Sequence, residues 1–236
     1  MKIAFIGDSL TAGIPGSSYF TILRERLPDH ALVNLGRGND TVVSLYRRIV
    51  RQRRGDEQFD LAFLWVGVND VGGEGSWLFR VANTLRRQPR AKSLAEFQTY
   101  YRRTLDLLCR HARRVIAVAP LLKGEEIDNE WNHQIDVLAR AIEELTAHYA
   151  CVAYLDLRPA FYQKLAGKQA SSHLLESPLR IGWDILALRN DAQVDAKAAQ
   201  RGLHFTLDGV HLNSAGAALV AEAFLKIIDR CKQSGG

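Results

Sequence analysis

The residues best suited to covalent chemistry lie near the two ends of the 236-residue chain. Ser9 belongs to a Gly-Asp-Ser-Leu segment at residues 7–10, and His211 ends an Asp-Gly-Val-His segment at residues 208–211. A serine hydroxyl becomes a good nucleophile when a base takes its proton, and imidazole titrates near neutrality. Asp208 stands three residues before His211, where its carboxylate can accept the Nδ1–H and fix the tautomer. The two segments indicate acyl chemistry in which Ser9 attacks, His211 is the base and Asp208 orients it.

A second group of residues is suited to stabilising negative charge on an oxygen atom. Attack on an ester carbonyl builds such a charge, and hydrogen-bond donors must receive it. Residues 34–38 (Asn-Leu-Gly-Arg-Gly) and 67–70 (Gly-Val-Asn-Asp) each follow an apolar run. We expect an oxyanion hole made by the backbone N–H groups of Ser9 and Gly36 and the side-chain amide of Asn69. A glycine at position 36 allows the substrate to approach because it has no Cβ.

Nearby polar residues have simpler interpretations. His204 is a rival base, but no carboxylate stands at a suitable spacing from it. Asn69 also fits an ordinary turn residue. Asp8 and Asp70 are expected to accept backbone hydrogen bonds and hold their loops rather than act on substrate.

The apolar pattern predicts the elements that must position these residues. Continuous apolar runs at 2–6, 31–35, 61–66, 115–119 and 151–157 are typical of strands buried on both faces of a parallel sheet. Helical spacing occurs at 19–27, after Asp40, after Ser93, over 131–145 and after Asn213 or Ser214. Alternating strands and helices predict an α/β protein with helices on both faces of a five-stranded parallel sheet. The candidate residues then meet at the carboxyl edge of the sheet, in one domain over residues 1–236.

Two segments, here called excursions, are longer than the connections between successive strands and helices require. The first, at about 71–89, is rich in glycine and carries Trp77 and Phe79; the second, at about 158–207, is expected to hold helices near 161–165 and 183–199. Long excursions are often binding loops or lids, although plain extra helices fit equally well. We treat Trp77, Phe79 and Arg37 as candidate residues of a substrate pocket.

Composition and charge exclude several classes of protein. The chain is 47% hydrophobic and 24% charged, with a net charge of +5 that is spread along it. The densest basic cluster, at residues 47–54, is interpreted as a solvated helix face without the interleaved aromatics that stack on bases, so no nucleic-acid partner is expected. No apolar run is long enough to span a membrane, and no histidine or carboxylate spacing is typical of a metal site.

The cysteine pattern bears on the cellular compartment. Cys109, Cys151 and Cys231 are far apart and form no C-x-x-C motif. Such an odd, scattered set argues against a disulfide framework and fits a reducing compartment. No signal peptide is evident at the amino end, so a cytoplasmic location is predicted, although a trimmed leader would give the same sequence.

Taken in order, the four polar segments resemble the sequence blocks of the SGNH-hydrolase group of the GDSL esterase/lipase family. The resemblance covers nearly the whole chain, and it implies a flavodoxin-like three-layer α/β/α sandwich and no cofactor. It also implies the catalytic residues Ser9, Asp208 and His211 and an oxyanion hole from Ser9, Gly36 and Asn69. Family members often have a second glycine three residues after the Gly36 position, where this chain has Asn39. Because Gly38 lies just before Asn39, Gly36 and Gly38 both stay candidate donors.

The predicted function is a serine esterase that acts on a small-molecule, carbohydrate or lipid ester through an acyl-enzyme at Ser9. Acyl transfer to an alcohol or a sugar, or thioester cleavage, would use the same first half-reaction. A flavodoxin-like binding module without catalysis is a third hypothesis, because Ser9, Thr11, Ser17 and Ser18 offer a hydroxyl-rich loop after the first strand. The ester itself and the oligomeric state are not readable from the sequence.

Overall fold

We describe the protein from a computed structural model, which covers residues 1–52, 57–71, 89–169, 171–174 and 177–233. Trp77 and Phe79, two of the predicted pocket residues, lie outside the described residues, as does most of the 71–89 excursion. Within the described ranges, every helix is too short or too polar to span a lipid bilayer.

A five-stranded, entirely parallel sheet forms the centre of the molecule, as the apolar runs predicted. Its strands are β1 (Lys2–Gly7), β2 (Ala31–Gly36), β3 (Phe59–Trp65), β4 (Ala112–Val118) and β5 (Val152–Leu155), in the spatial order β2-β1-β3-β4-β5. Gly7 pairs in register with Gly36 on one side and with Trp65 on the other, so the first three strands end at the same level. The residues that follow these strands therefore meet at one edge of the sheet.

Helices cover both faces of the sheet, which gives the predicted three-layer α/β/α sandwich. In the described ranges they are α1 (Ser9–Ala12), α2 (Tyr19–Arg26), α3 (Val42–Arg51), α4 (Leu94–His111), α5 (Glu130–Thr146), α6 (Arg158–Leu165), α7 (Pro178–Ala187), α8 (Asp191–Gln200) and α9 (Ser214–Gln233). Side chains of α2 and α9 pack on one face of the sheet, where Phe63 stacks on Phe224 at 4.4 Å. Side chains of α3 and α4 pack on the other face. These two apolar layers bury both faces of the sheet.

The strand order places a crevice between β1 and β3. The chain leaves β1 toward β2 on one side, and the rest of the sheet is built on the other side, from β3 onward. In open α/β sheets, ligands bind at such a reversal, outside the carboxyl ends of the strands. Ser9 follows β1 and Asn69 follows β3, so the two residues border this crevice.

Two predictions about local structure were wrong. The single helix expected over 183–199 is instead α7 and α8, separated at Leu188–Asn190, because Asn190 caps a new helix by accepting from the Gln193 N–H. The structure also pairs Cys109 with Cys151 in a disulfide, with the two Cα atoms 6.4 Å apart, whereas the sequence argued against disulfides. Cys109 lies near the end of α4 and Cys151 just before β5, and sequence spacing does not reveal that the fold brings them together.

Candidate active site

Ser9 is placed by an abrupt change from strand to helix. The Asp8 side chain accepts the Leu10 N–H at 3.0 Å and caps α1, which ends at Gly13 in the left-handed region (φ 73°). A Cβ at Gly7 would lie 2.4 Å from the Trp65 carbonyl oxygen, so glycine is required for β1 to pass this close to β3. Ser9 thus starts a helix at the sheet edge with its hydroxyl only slightly exposed.

The predicted partners of Ser9 come together although they are about two hundred residues away in sequence. His211 Nε2 lies 3.0 Å from Ser9 Oγ, and His211 Nδ1 lies 2.7 Å from Asp208 Oδ2. All three side chains are largely buried, with residue exposures of 6% for Ser9, 9% for His211 and 1% for Asp208. The contacts form a continuous path from the carboxylate through the imidazole to the hydroxyl.

Burial and charge set the protonation of this cluster. Burial by itself would lower the pKa of His211, but the Asp208 carboxylate and its hydrogen bond raise that pKa above the ordinary value. In the same way burial would raise the pKa of Asp208, and the neighbouring imidazolium and hydrogen bonds keep it below the usual range. Burial raises the pKa of Asp8 to about 7. An imidazole with a raised pKa is a stronger proton acceptor, as a general base for serine requires.

The loop that carries Asp208 and His211 is a tight hairpin. The Leu207 N–H donates to the His211 carbonyl oxygen at 2.6 Å, and Gly209 has φ 91°, a conformation that favours glycine. Asp208 Oδ1 accepts the backbone N–H of His211 at 2.8 Å, which fixes the carboxylate at the Nδ1 edge of the ring. After the hairpin, Asn213 caps α9 by accepting the Gly216 N–H at 2.9 Å. Hydrogen bonds therefore hold the backbone on both sides of His211.

The predicted oxyanion donors are only partly free. The Gly36 N–H donates to Asn34 Oδ1 at 2.8 Å, so the structure gives this group a partner inside the protein and disfavours it as a donor to substrate. Asn39 has φ 62°, the left-handed conformation that a glycine would adopt most easily. In the described part of the chain the N–H groups of Ser9, Gly38 and Asn39 have no acceptor.

Asn69 is oriented by the loop after β2. Its Nδ2 donates one hydrogen bond to the Asp40 carbonyl oxygen at 3.0 Å. An amide nitrogen carries two hydrogens, so one remains for another acceptor. Asn69 is partly exposed and lies at the crevice between β1 and β3.

Arg48 is a residue that the sequence analysis assigned wrongly. It belongs to the basic cluster interpreted as a solvated helix face, yet it is 8% exposed, and its Nε donates to Asp40 Oδ2 at 2.7 Å. Its Nη2 donates to the Leu35 carbonyl oxygen at 3.0 Å and contacts that of Gly7 at 3.4 Å. Arg48 therefore ties the ends of β1 and β2 to the loop that contacts Asn69. The helix predicted after Asp40 is α3, and the side chain that caps it is that of Thr41.

The remaining predicted residues behave as follows. Asp70 accepts the Val42 N–H at 2.9 Å, which confirms that Asp70, like Asp8, holds a loop through a backbone hydrogen bond. The His204 ring contacts the Gln169 carbonyl oxygen at 3.2 Å. Arg37 is exposed beside the β2 loop. Among the described residues, no group of three or more histidine, cysteine or acidic side chains is arranged to hold a metal ion.

The family of the chain follows from a match over most of its length. Residues 5–219 match the model of the GDSL-like Lipase/Acylhydrolase family. The chain therefore belongs to this family, and it is a hydrolase that acts on esters. No curated protein sequence matches the chain significantly.

Solved structures show the same fold at low sequence identity. A catalytic mutant of Axe2, an acetylxylan esterase from Geobacillus stearothermophilus, is similar with a TM-score of 0.66 and 18% identity over 95% of this chain and 92% of that one. The acetyl xylan esterase AlAXEase is similar with a TM-score of 0.64 and 22% identity over 97% of this chain and 100% of that one. LAE5, an alpha/beta hydrolase enzyme from the metagenome of Lake Arreo, Spain, has a TM-score of 0.63 and 20% identity over 95% and 93% of the two chains.

Proposed function

We propose that this protein is a serine esterase in which Ser9 is the nucleophile, His211 the general base and Asp208 the residue that orients His211. The observation that carries the proposal is the buried path from Asp208 Oδ2 to His211 Nδ1 (2.7 Å) and from His211 Nε2 to Ser9 Oγ (3.0 Å). A helix cap or a core histidine would explain each residue alone. The three together match what serine activation requires.

The reaction runs in two half-reactions with balanced proton transfers. His211 Nε2 takes the hydroxyl proton as Ser9 Oγ attacks the carbonyl carbon, and the resulting imidazolium is stabilised by Asp208. When the tetrahedral intermediate collapses, His211 gives the proton to the leaving alcohol, and the acyl group stays on Ser9. Water then attacks the acyl-enzyme, with His211 again taking and returning the proton, and the carboxylic acid leaves.

The developing oxyanion needs donors without other partners. We assign this role to the N–H of Ser9, to the second hydrogen of Asn69 Nδ2 and to the backbone N–H of Asn39. Asn39 replaces the predicted Gly36, because the Gly36 N–H already donates to Asn34. Asn39 is preferred to Gly38 because it directly precedes Asp40, whose carbonyl oxygen holds Asn69, and because its backbone has the glycine-like φ of 62°. Each such donor contributes about 10²–10³ in rate in other hydrolases.

The fold neighbours support these assignments and suggest a first substrate class. Variants of Axe2 in which a serine, an aspartate or a histidine is replaced by alanine are described as catalytic mutants, and its aspartate and histidine are three residues apart. Asp208 and His211 have the same spacing here. Because Axe2 and AlAXEase are acetylxylan esterases, short acyl esters of carbohydrates are the substrates to test first.

The proposal is tested with a panel of p-nitrophenyl esters of increasing acyl length, acetylated xylo-oligosaccharides and a fluorophosphonate probe. We expect turnover of short esters and a single label on Ser9, both abolished in Ser9→Ala. Ser172→Ala is the matched control, because Ser172 is exposed and its hydroxyl takes no part in the hydrogen bonds that join Ser9, His211 and Asp208. Folded wild-type protein that neither cleaves any ester nor reacts with the probe at Ser9 would refute the proposal.

A further inference from the structure

A buried carboxylate outside the predicted site contacts the segment that leads into the Asp208–His211 hairpin. Glu125 lies in the loop between β4 and α5, and only 1% of it is exposed. No motif in the sequence marks it. A buried carboxylate is costly unless several donors satisfy it, so its partners indicate what it does.

Four donors from three consecutive residues converge on this carboxylate. The His204 N–H donates to Oε2 at 2.7 Å. The Phe205 N–H, the Thr206 N–H and the Thr206 hydroxyl each donate to Oε1 at 2.8 Å. Carboxylate oxygens only accept, and hydrogen bonds to a charged acceptor are about twice as strong as neutral ones. Glu125 therefore fixes the backbone of residues 204–206 although it is about eighty positions away in sequence.

The same contacts extend into the hairpin itself. Thr206 Oγ1, which donates to Glu125, accepts the Gly209 N–H at 3.1 Å. Gly124, the neighbour of Glu125, donates its N–H to the Gly209 carbonyl oxygen at 2.7 Å. Both polar backbone groups of Gly209, the residue directly after Asp208, are thus held by the 124–125 segment and its partner Thr206.

We infer that Glu125 is a positioning residue for the Asp208–His211 pair, an inference that rests on the proposed function. By fixing residues 204–206 and Gly209, it keeps the imidazole between the carboxylate and the Ser9 hydroxyl. Glu125 does not touch the reacting atoms. Its removal should therefore change the orientation of His211 rather than the binding of substrate.

The main test compares Glu125→Gln with Glu126→Gln. The glutamine amide presents an NH₂ group to at least one N–H donor, so one or more of the four contacts is lost at nearly constant shape. Glu126 is exposed, and the same substitution there removes a negative charge one residue away without touching the 204–206 segment. Folding of each variant is checked by circular dichroism and thermal unfolding.

Two readouts separate a positioning role from a general loss of structure. For Glu125→Gln we expect kcat on the p-nitrophenyl ester to fall about 10- to 100-fold with little change in KM, because misplacement by about 1 Å costs up to about 10² in rate.

The second readout is the imidazole titration of His211 by NMR. Three carboxylates raise the pKa of His211, namely Asp208, Asp8 and Asp184, and only Asp208 is on the hairpin that Glu125 supports. A loosened hairpin should lower this pKa toward about 6.5, the value of an unperturbed histidine.

The outcomes are distinct. A folded Glu125→Gln protein with wild-type kcat and an unchanged His211 titration overturns the inference, and so does an equal effect in Glu126→Gln. If Glu125→Gln does not fold, Thr206→Val and Thr206→Ser decide: loss of the hydroxyl should lower kcat and the pKa of His211, and serine should restore both. A Thr206→Val protein identical to wild type would also overturn it. Since the NMR titration needs no turnover, failure of wild-type esterase activity would refute the proposed function separately.

Discussion

Asp208→Asn is the substitution that tests the proposed mechanism most directly. Asp208 Oδ1 accepts two backbone N–H groups, from Val210 at 3.0 Å and from His211 at 2.8 Å, and Oδ2 accepts from His211 Nδ1 at 2.7 Å. In asparagine the oxygen must take the Oδ1 position to keep both backbone contacts. The amide NH₂ then occupies the Oδ2 position and faces Nδ1.

The consequence is a change of tautomer in a nearly unchanged structure. A donor facing Nδ1 requires that nitrogen to accept, so the imidazole proton moves to Nε2. The Nε2–H then points at Ser9 Oγ, 3.0 Å away, and cannot take its proton. The analogous substitution in a serine protease lowers kcat by about 10⁴, which corresponds to about 5.4 kcal/mol of activation free energy. We expect a loss of the same order here.

The assay is steady-state hydrolysis of a short p-nitrophenyl ester as a function of pH, with Asp229→Asn on the exposed side of α9 as control. The proposed mechanism requires neutral His211, so we expect the wild-type rate to rise with pH through the pKa of His211, which Asp208 holds above its ordinary value. In Asp208→Asn this acid limb should move to lower pH while the plateau falls. Activity of folded Asp208→Asn within about tenfold of wild type would refute the assigned role of the carboxylate.

Three further predictions concern other parts of the structure. Asn69→Ala should lower kcat on the same ester about 10²- to 10³-fold with KM nearly constant, since it removes one of the proposed oxyanion donors. Burial raises the pKa of Asp70 to about 7. Above about pH 4 the unfolded chain releases the Asp70 proton, whereas the folded protein keeps it. The stabilisation that this bound proton gives the folded state is therefore lost as pH rises from about 4 to about 7. Asp70→Asn should accordingly raise the thermal midpoint at pH 8 more than at pH 4.5. Replacing Cys109 and Cys151 by alanine, which opens a loop of 42 residues, should lower the free energy of unfolding in urea by up to about 4 kcal/mol.

Each of these predictions has a specific contrary result. Unchanged kcat in Asn69→Ala would exclude this amide from the oxyanion hole. A larger stabilisation of Asp70→Asn at pH 4.5 than at pH 8 would contradict the raised pKa. Equal free energies of unfolding for the wild type and the double alanine variant would show that the Cys109–Cys151 pair adds no stability.

Much of the fold and part of the candidate site could be predicted because they depend on local patterns. The contact of Ser9 with His211, 202 positions apart, was expected instead from the common edge at which parallel strands end and from the resemblance of the four segments to the GDSL esterase/lipase family. Continuous apolar runs identify buried parallel strands, and the carboxyl ends of adjacent parallel strands lie at one edge whatever the loops between them do. The common edge of the strands therefore predicts that Ser9, after β1, and Asn69, after β3, lie at the same crevice. The three-residue spacing of Asp208 and His211 is also local, so their contact follows from the sequence.

The residues that were missed depend on contacts between distant segments. In the sequence, Arg48 does not differ from the other arginines of the basic helix. Its burial is explained by contacts that only the structure shows, with Asp40 and with the carbonyl groups at the ends of two strands. Glu125 has no motif, since its partners lie on the segment 204–206. The separation of α7 from α8 was different: Asn190 followed by Gln193 is a capping signal that was present in the sequence.

The distance in sequence between Ser9 and His211, 202 positions, has a consequence for how activity is acquired. Under the proposed mechanism, ester turnover requires the first strand and the hairpin at 206–212 to be docked together, because only then does His211 lie beside Ser9. Recovery of turnover after dilution from urea therefore reports when the amino-terminal and carboxyl-terminal segments join, whereas circular dichroism reports the formation of helices and strands. A chain that folds in one step recovers both signals at the same rate, and slower recovery of turnover would show that docking of the carboxyl-terminal segment is a separate, later step.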